Sequence, residues 1–142
     1  MTDYLEGEIL DHLFLNQAIA NIGDASGLPA AATPGNFYIA LFTADPGETG
    51  SQVNEATFTG YARVAVPRSG VGFSRAGNVI SNAATVAFAE ATAGSETITH
   101  FAVMDASTSG NVLLTSALGT SRLVNAGTTL EFAAGALTAT AN

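Results

Sequence analysis

The chain has 142 residues, 47% of them apolar and only 11% charged, with twelve acids against four arginines, no lysine and no cysteine. That length supports a core of ordinary size, the composition excludes a disordered chain, and the missing cysteines exclude disulfides and thiolate chemistry. A net charge of −8 speaks against nucleic acid and anionic membrane as partners, since either needs clustered positive charge, and no apolar run approaches the ~18 residues of a membrane-crossing helix.

Residues 3–20 carry the one convincing helix signal. Asp3 is placed to cap it, and Glu6, three positions on, completes a capping box. Leu5, Ile9 and Leu13 recur at four-residue steps, joined by Leu10 and Phe14, so the helix is amphipathic, with Glu8, Asp11 and His12 mainly on the other side. Such a stripe has to be hidden, against the chain's own sheet or against a neighbour. From residue 21 to residue 35 the sequence turns to Gly, Ala, Pro and Thr, the composition of a connector.

Short strands follow. Phe37–Phe42 is apolar on both faces, as in a central, covered strand, and Asp45-Pro-Gly-Glu-Thr-Gly50 ends it with turn-forming residues. Further strands are expected over 61–66, 71–74, 79–81, 85–88, 98–104, 112–117, 128–132 and 137–141. Their turns are Gly77-Asn78, Ser109-Gly110-Asn111 and Asn125-Ala-Gly127. Pro67, which lacks an N–H, belongs at a strand end or an edge. The expected architecture is mainly β: a single domain over residues 1–142 built as an antiparallel β-sandwich, jelly-roll-like or closed into a small barrel, with one N-terminal helix.

Chemistry-bearing patterns are sparse. Glu8 and His12, one helical turn apart, make two metal ligands with no third to support them. His100 with Asp105 and a serine has the ingredients of a hydrolytic triad, but no nucleophile elbow accompanies them. Glu90, Glu96, Asp105 and Glu131 are scattered singly, which gives no glycosidase-type pair. Gly70-Val-Gly-Phe73 is too short for a phosphate loop. No catalytic residue, cofactor or metal is assigned. Arg63 and Arg68 share one strand region; in so acidic a chain each should find a carboxylate, in the same subunit by preference or across an interface, which arginine's planar fork suits.

Five stretches carry a resemblance: Thr2–Phe14, Tyr38–Gly50, Gly60–Val66, Thr99–Asp105 leading to Gly110–Leu113, and Val124–Phe132. Together they resemble a family of small tailed-bacteriophage virion structural proteins, often labelled tail fibre proteins. The resemblance implies a non-enzymatic protein of the virion; the N-terminus, Met1–Glu6, lacks the basic start of a signal peptide, so the expected place of synthesis and folding is the host bacterial cytoplasm. A fibre normally needs reach from a coiled coil or repeats, which this chain lacks, whereas a capsid decoration (cement) protein needs only a compact body and an attachment surface. The expectation is therefore a decoration protein binding the head as a symmetric trimer or dimer, with the major capsid protein or other virion proteins as partners. The alternative is a tail or tail-fibre component in tail assembly or host attachment. Leu5, Ile9, Leu13, Phe14, Arg63 and Arg68 are the candidate assembly interface.

Overall fold

The computed structural model describes residues Met1–Ala141. One helix, α1 (Asp3–Leu15), precedes nine strands: β1 (Asn36–Phe42), β2 (Val64–Pro67), β3 (Phe73–Ala76), β4 (Val79–Asn82), β5 (Val86–Ala87), β6 (Ser95–Met104), β7 (Val112–Asn125), β8 (Glu131–Phe132) and β9 (Thr138–Thr140). The fold is mainly β with antiparallel sheets and an N-terminal helix, as the sequence predicts. The small-barrel variant is not realised: among the described residues no sheet closes on itself. The residues cluster into two compact units, one built from 1–36, 67–84 and the chain from 134 on, the other from 37–66 and 85–133.

The first unit holds α1 and the sheet β3-β4-β9. β3 and β4 form a hairpin in which Ala76 faces Val79, and Gly77 takes φ +62° at the first central position, the conformation a tight hairpin turn demands of glycine. α1 differs from expectation at both ends. Thr2, not Asp3, is the N-cap and makes no side-chain cap bond. Asp3 begins the helix and Glu6 turns inward to 5% exposure, so the Asp3–Glu6 capping box does not form. The helix also stops at Leu15 rather than residue 20, because Asn16 adopts left-handed φ 54°, ψ 40°. Its side chain exchanges two bonds with the Ala31 backbone (2.8 and 2.9 Å), and Ile19 bridges Leu28 (2.9 and 2.8 Å). Residues 16–20 are thus drawn into the connector.

The buried face of α1 is Glu6, Gly7, Leu10 and Phe14, one position round from the Leu5–Ile9–Leu13 stripe. Gly7 lies on this face, and a Cβ there would sit 3.1 Å from Arg75 Nη1, so the end of the Arg75 side chain rests directly on the glycine. Arg75 then grips Asp11 bidentately (2.6 and 2.7 Å), and Phe14 meets Phe73 edge-on at 5.0 Å.

The second unit is organised by the sheet β2-β1-β6-β7. β1 and β6 lie inside it, paired from Tyr38↔Met104 to Phe42↔His100. Both faces of these strands are covered: Ile39, Ala40, Leu41 and Phe42 alternate sides yet all are buried, as are Phe101 to Met104. Pro67 ends the edge strand β2, the position its missing N–H requires. The ribbon β5-β8 contributes Phe132 and the following Phe88, whose rings meet edge-on at 6.2 Å; Phe88 in turn stacks on Tyr61 at 6.2 Å.

Candidate functional site

The densest polar constellation in the second unit is built on Arg63, just ahead of β2. The expected strand over 61–66 shortens to Val64–Pro67 because Phe58–Tyr61 closes a turn (Tyr61 N–H to Phe58 O, 2.9 Å), which aims Tyr61 and Arg63 at the loop before them. Arg63 Nε donates to Glu55 Oε1 at 2.7 Å. Nη2 donates to Glu55 Oε2 at 2.7 Å and Gln52 Oε1 at 2.9 Å. Nη1 reaches the carbonyls of Ala106 (2.8 Å) and Ser109 (2.7 Å). All five guanidinium donors are therefore engaged, with the side chain only 4% exposed.

Tyr61 extends the network. Its hydroxyl donates to Glu55 Oε1 (2.8 Å) and accepts the Leu41 N–H (3.1 Å), tying the cluster to β1. The Ala106–Ser109 loop is braced at its base, where Asp105 accepts the Asn111 N–H and side-chain amide, both at 2.7 Å. These bonds from Asn111, the backbone one foremost, hold the Asp105 carboxyl below its ordinary range. An open pocket of about 480 Å³ lies here, with Gln52, Glu55, Tyr61, Arg63, Ser107 and Ser109 in its wall.

Burial disfavours the Glu55 carboxylate, but the Arg63 and Tyr61 hydrogen bonds and the Arg63 charge outweigh it, so its carboxyl titrates below the usual range. Burial, with the Glu55 carboxylate added, pushes the Tyr61 phenol well up; the Glu55 hydrogen bond, against burial, raises Arg63. A carboxyl depressed in the folded state stabilises the fold above its unfolded pKa of roughly 4.3, and that contribution is lost as pH falls through the lower folded value. Stability measured by denaturant titration should therefore decline from about pH 5 downward, and Glu55→Gln should flatten that acid limb. An unchanged acid limb in Glu55→Gln would mean the network carries no such term.

The predicted interface residues are distributed between the two units. In the first, Phe14 is in the core, Leu5 and Ile9 are half-buried, and Leu13 is 43% exposed. Arg68 donates to carbonyls: Nε to Leu13 O (2.6 Å), Nη2 to His12 O (3.0 Å) and Nη1 to Pro34 O (3.0 Å). A cation on the last-turn carbonyls complements the helix dipole. Arg63, in the second unit, pairs within its own chain. Its partner Glu55 was not singled out by sequence reasoning; the signal available was an acid eight residues before the arginine, with Tyr61 between.

Other chemistry does not assemble. His12 Nδ1 lies 2.7 Å from Gln17 O, and among the described residues no three of His, Asp and Glu are placed to hold a metal. His100 Nδ1 contacts Thr99 Oγ1 at 2.8 Å, while both Asp105 oxygens face Asn111. Glu96 serves structure, its Oε1 accepting the Thr57 and Phe58 N–H groups at 2.9 and 3.0 Å.

The fold is thus that of a small antiparallel β protein whose buried polar groups hold loops in place. The chain belongs to the family described as podophage GP4 fiber I protein gp80, which it matches over residues 1–140. It is thus a phage structural protein of a fibre family. No curated protein matches the sequence.

Proposed function

We propose that this protein is a non-enzymatic component of a podophage tail fibre, carried in the virion. The observation that supports this reading is the family match, which spans every helix and strand of the fold. It favours the tail-fibre alternative over capsid decoration. Lack of reach, the ground for decoration, loses force because a fibre component need not itself supply length. A compact module can sit at a joint or tip while other chains provide the shaft. The clamped loop at Arg63 fits a module that must keep its shape in an assembly.

Quantitative mass spectrometry of purified particles and of isolated tails tests the proposal. The expected result is a few copies per particle, retained on isolated tails. Copy numbers in the hundreds that stay with tail-less heads would establish decoration instead, and absence from virions would overturn both.

A further inference from the structure

The four-stranded sheet has two outer edges, and they are unlike. β2 has four residues and ends in Pro67, which blocks continued pairing. β7 has fourteen, contains no proline and carries one charge, Arg122. Among the described residues the Arg122 side chain makes no ion pair or hydrogen bond, although the chain's net charge is −8. Leu113 and Leu123, on the same strand, are 43% and 59% exposed.

The ladder fixes which backbone groups of β7 face outward. Leu41 gives its carbonyl to Ala56 (2.8 Å) and its N–H to Tyr61, so both point away from β6. Ala40 and Phe42 therefore face β6 and bond Ala102 and His100. On β6 the alternate residues Phe101 and Val103 then face β7, where they meet Ser116 and Leu114. Thr115 and Ala117 must turn their N–H and C=O groups to the outer edge, and among the described residues no backbone bond from a turn or loop reaches them. Register shifts opposite Val103/Met104 and Ile98/His100 limit the regular edge to Leu114–Ala117, since bulges terminate pairing.

We infer that this edge pairs with the same edge of a second copy, the two β7 strands running antiparallel about a two-fold axis through Ser116. Thr115 of each chain then lies opposite the partner's Ala117, and every outward backbone group on the segment is satisfied by about four bonds. The other edge being closed by Pro67, edge-to-edge pairing of this sheet is isologous and stops at two chains. Charge agrees with this register. Because of the bulge, Arg122 stands only two ladder steps past Ala117, which brings it alongside the partner's Leu113 and towards the turn held by the partner's Asp105, away from its own symmetry mate. A segment this short gives a weak, reversible dimer. The inference holds wherever in the particle the protein sits.

Sedimentation equilibrium over a dilution series, with amide exchange read residue by residue, tests it. The expected result is reversible dimerisation in which the amides of Thr115 and Ala117 gain at least tenfold protection as concentration rises, while those of Leu114 and Ser116 are protected throughout. Thr115→Pro, which removes an outward N–H and no ladder bond, should stay monomeric with an unchanged circular dichroism spectrum. If that variant misfolds, the exchange pattern of the unaltered protein decides alone. A chain that stays monomeric at millimolar concentration, a dimer that leaves Thr115 and Ala117 exchanging freely, a folded Thr115→Pro that still dimerises, or pairing only with a different fibre protein would each overturn it.

Discussion

Arg63→Ala is expected to lower the unfolding free energy by about 3–5 kcal/mol, the range for breaking a buried ion pair by removing one partner. The loss exceeds that of one hydrogen bond because the substitution strands several groups at once. The Glu55 carboxylate keeps only the Tyr61 hydroxyl, Gln52 loses its donor, and the Ala106 and Ser109 carbonyls lose theirs. Chemical denaturation followed by circular dichroism measures the loss. Removing the carboxylate as well, in Glu55→Ala/Arg63→Ala, should destabilise by less than the sum of the single changes, since the second removes a charge the first left unpaired. A loss under about 1 kcal/mol would mean that water replaces the guanidinium and the loop is not held by it. Limited proteolysis should cut first between Ala106 and Ser109 in Arg63→Ala, because the Asp105–Asn111 brace holds only the base of that loop.

Phe14→Ala should cost a similar amount, about 3–5 kcal/mol, and by a different route. The ring is 2% exposed and set edge-on against Phe73, so truncation leaves a cavity between α1 and β3 that Gly7 cannot fill. Leu13→Ala, one position further round at 43% exposure, should cost well under half as much. Thermal unfolding of the two variants side by side checks the orientation of the helix: equal losses would mean that Leu13 shares the docked face with Phe14.

Much of the strand order along the chain is legible without coordinates, and the reason is local. Phe37–Phe42 reads as a covered strand because both its faces are apolar, 98–104 reads as a strand, and both lie inside the sheet. Turns announce themselves through Gly77, Gly110 and Gly127, each at positive φ. What escapes is whatever depends on a partner far away in sequence. The end of α1 is set by Asn16 reaching Ala31, and the docked face includes a glycine whose missing side chain looks like a weakness until Arg75 lies against it. The Arg63 cluster was half visible: an arginine in need of an acid can be read from composition, but which of twelve acids supplies it cannot. β7 runs on to Asn125, past the expected end at 117, because Gly119 falls within a bulge where its lack of a side chain does not interrupt the strand.

The order in which the strands leave the ribosome gives the first unit a history of its own. Its helix and its β3–β4 hairpin are translated well before the third strand of that sheet, which pairs Val79 with Thr140 and Ser81 with Thr138. In between come Thr85–Ala133, which belong to the other unit. During synthesis the outer side of β4 is therefore bare, with Ile80 and Asn82 short of their final neighbours, until β9 has left the ribosome and docks. A nascent chain stalled before residue 138 exposes that unpaired strand, and with it a route to misassembly that the finished protein has closed.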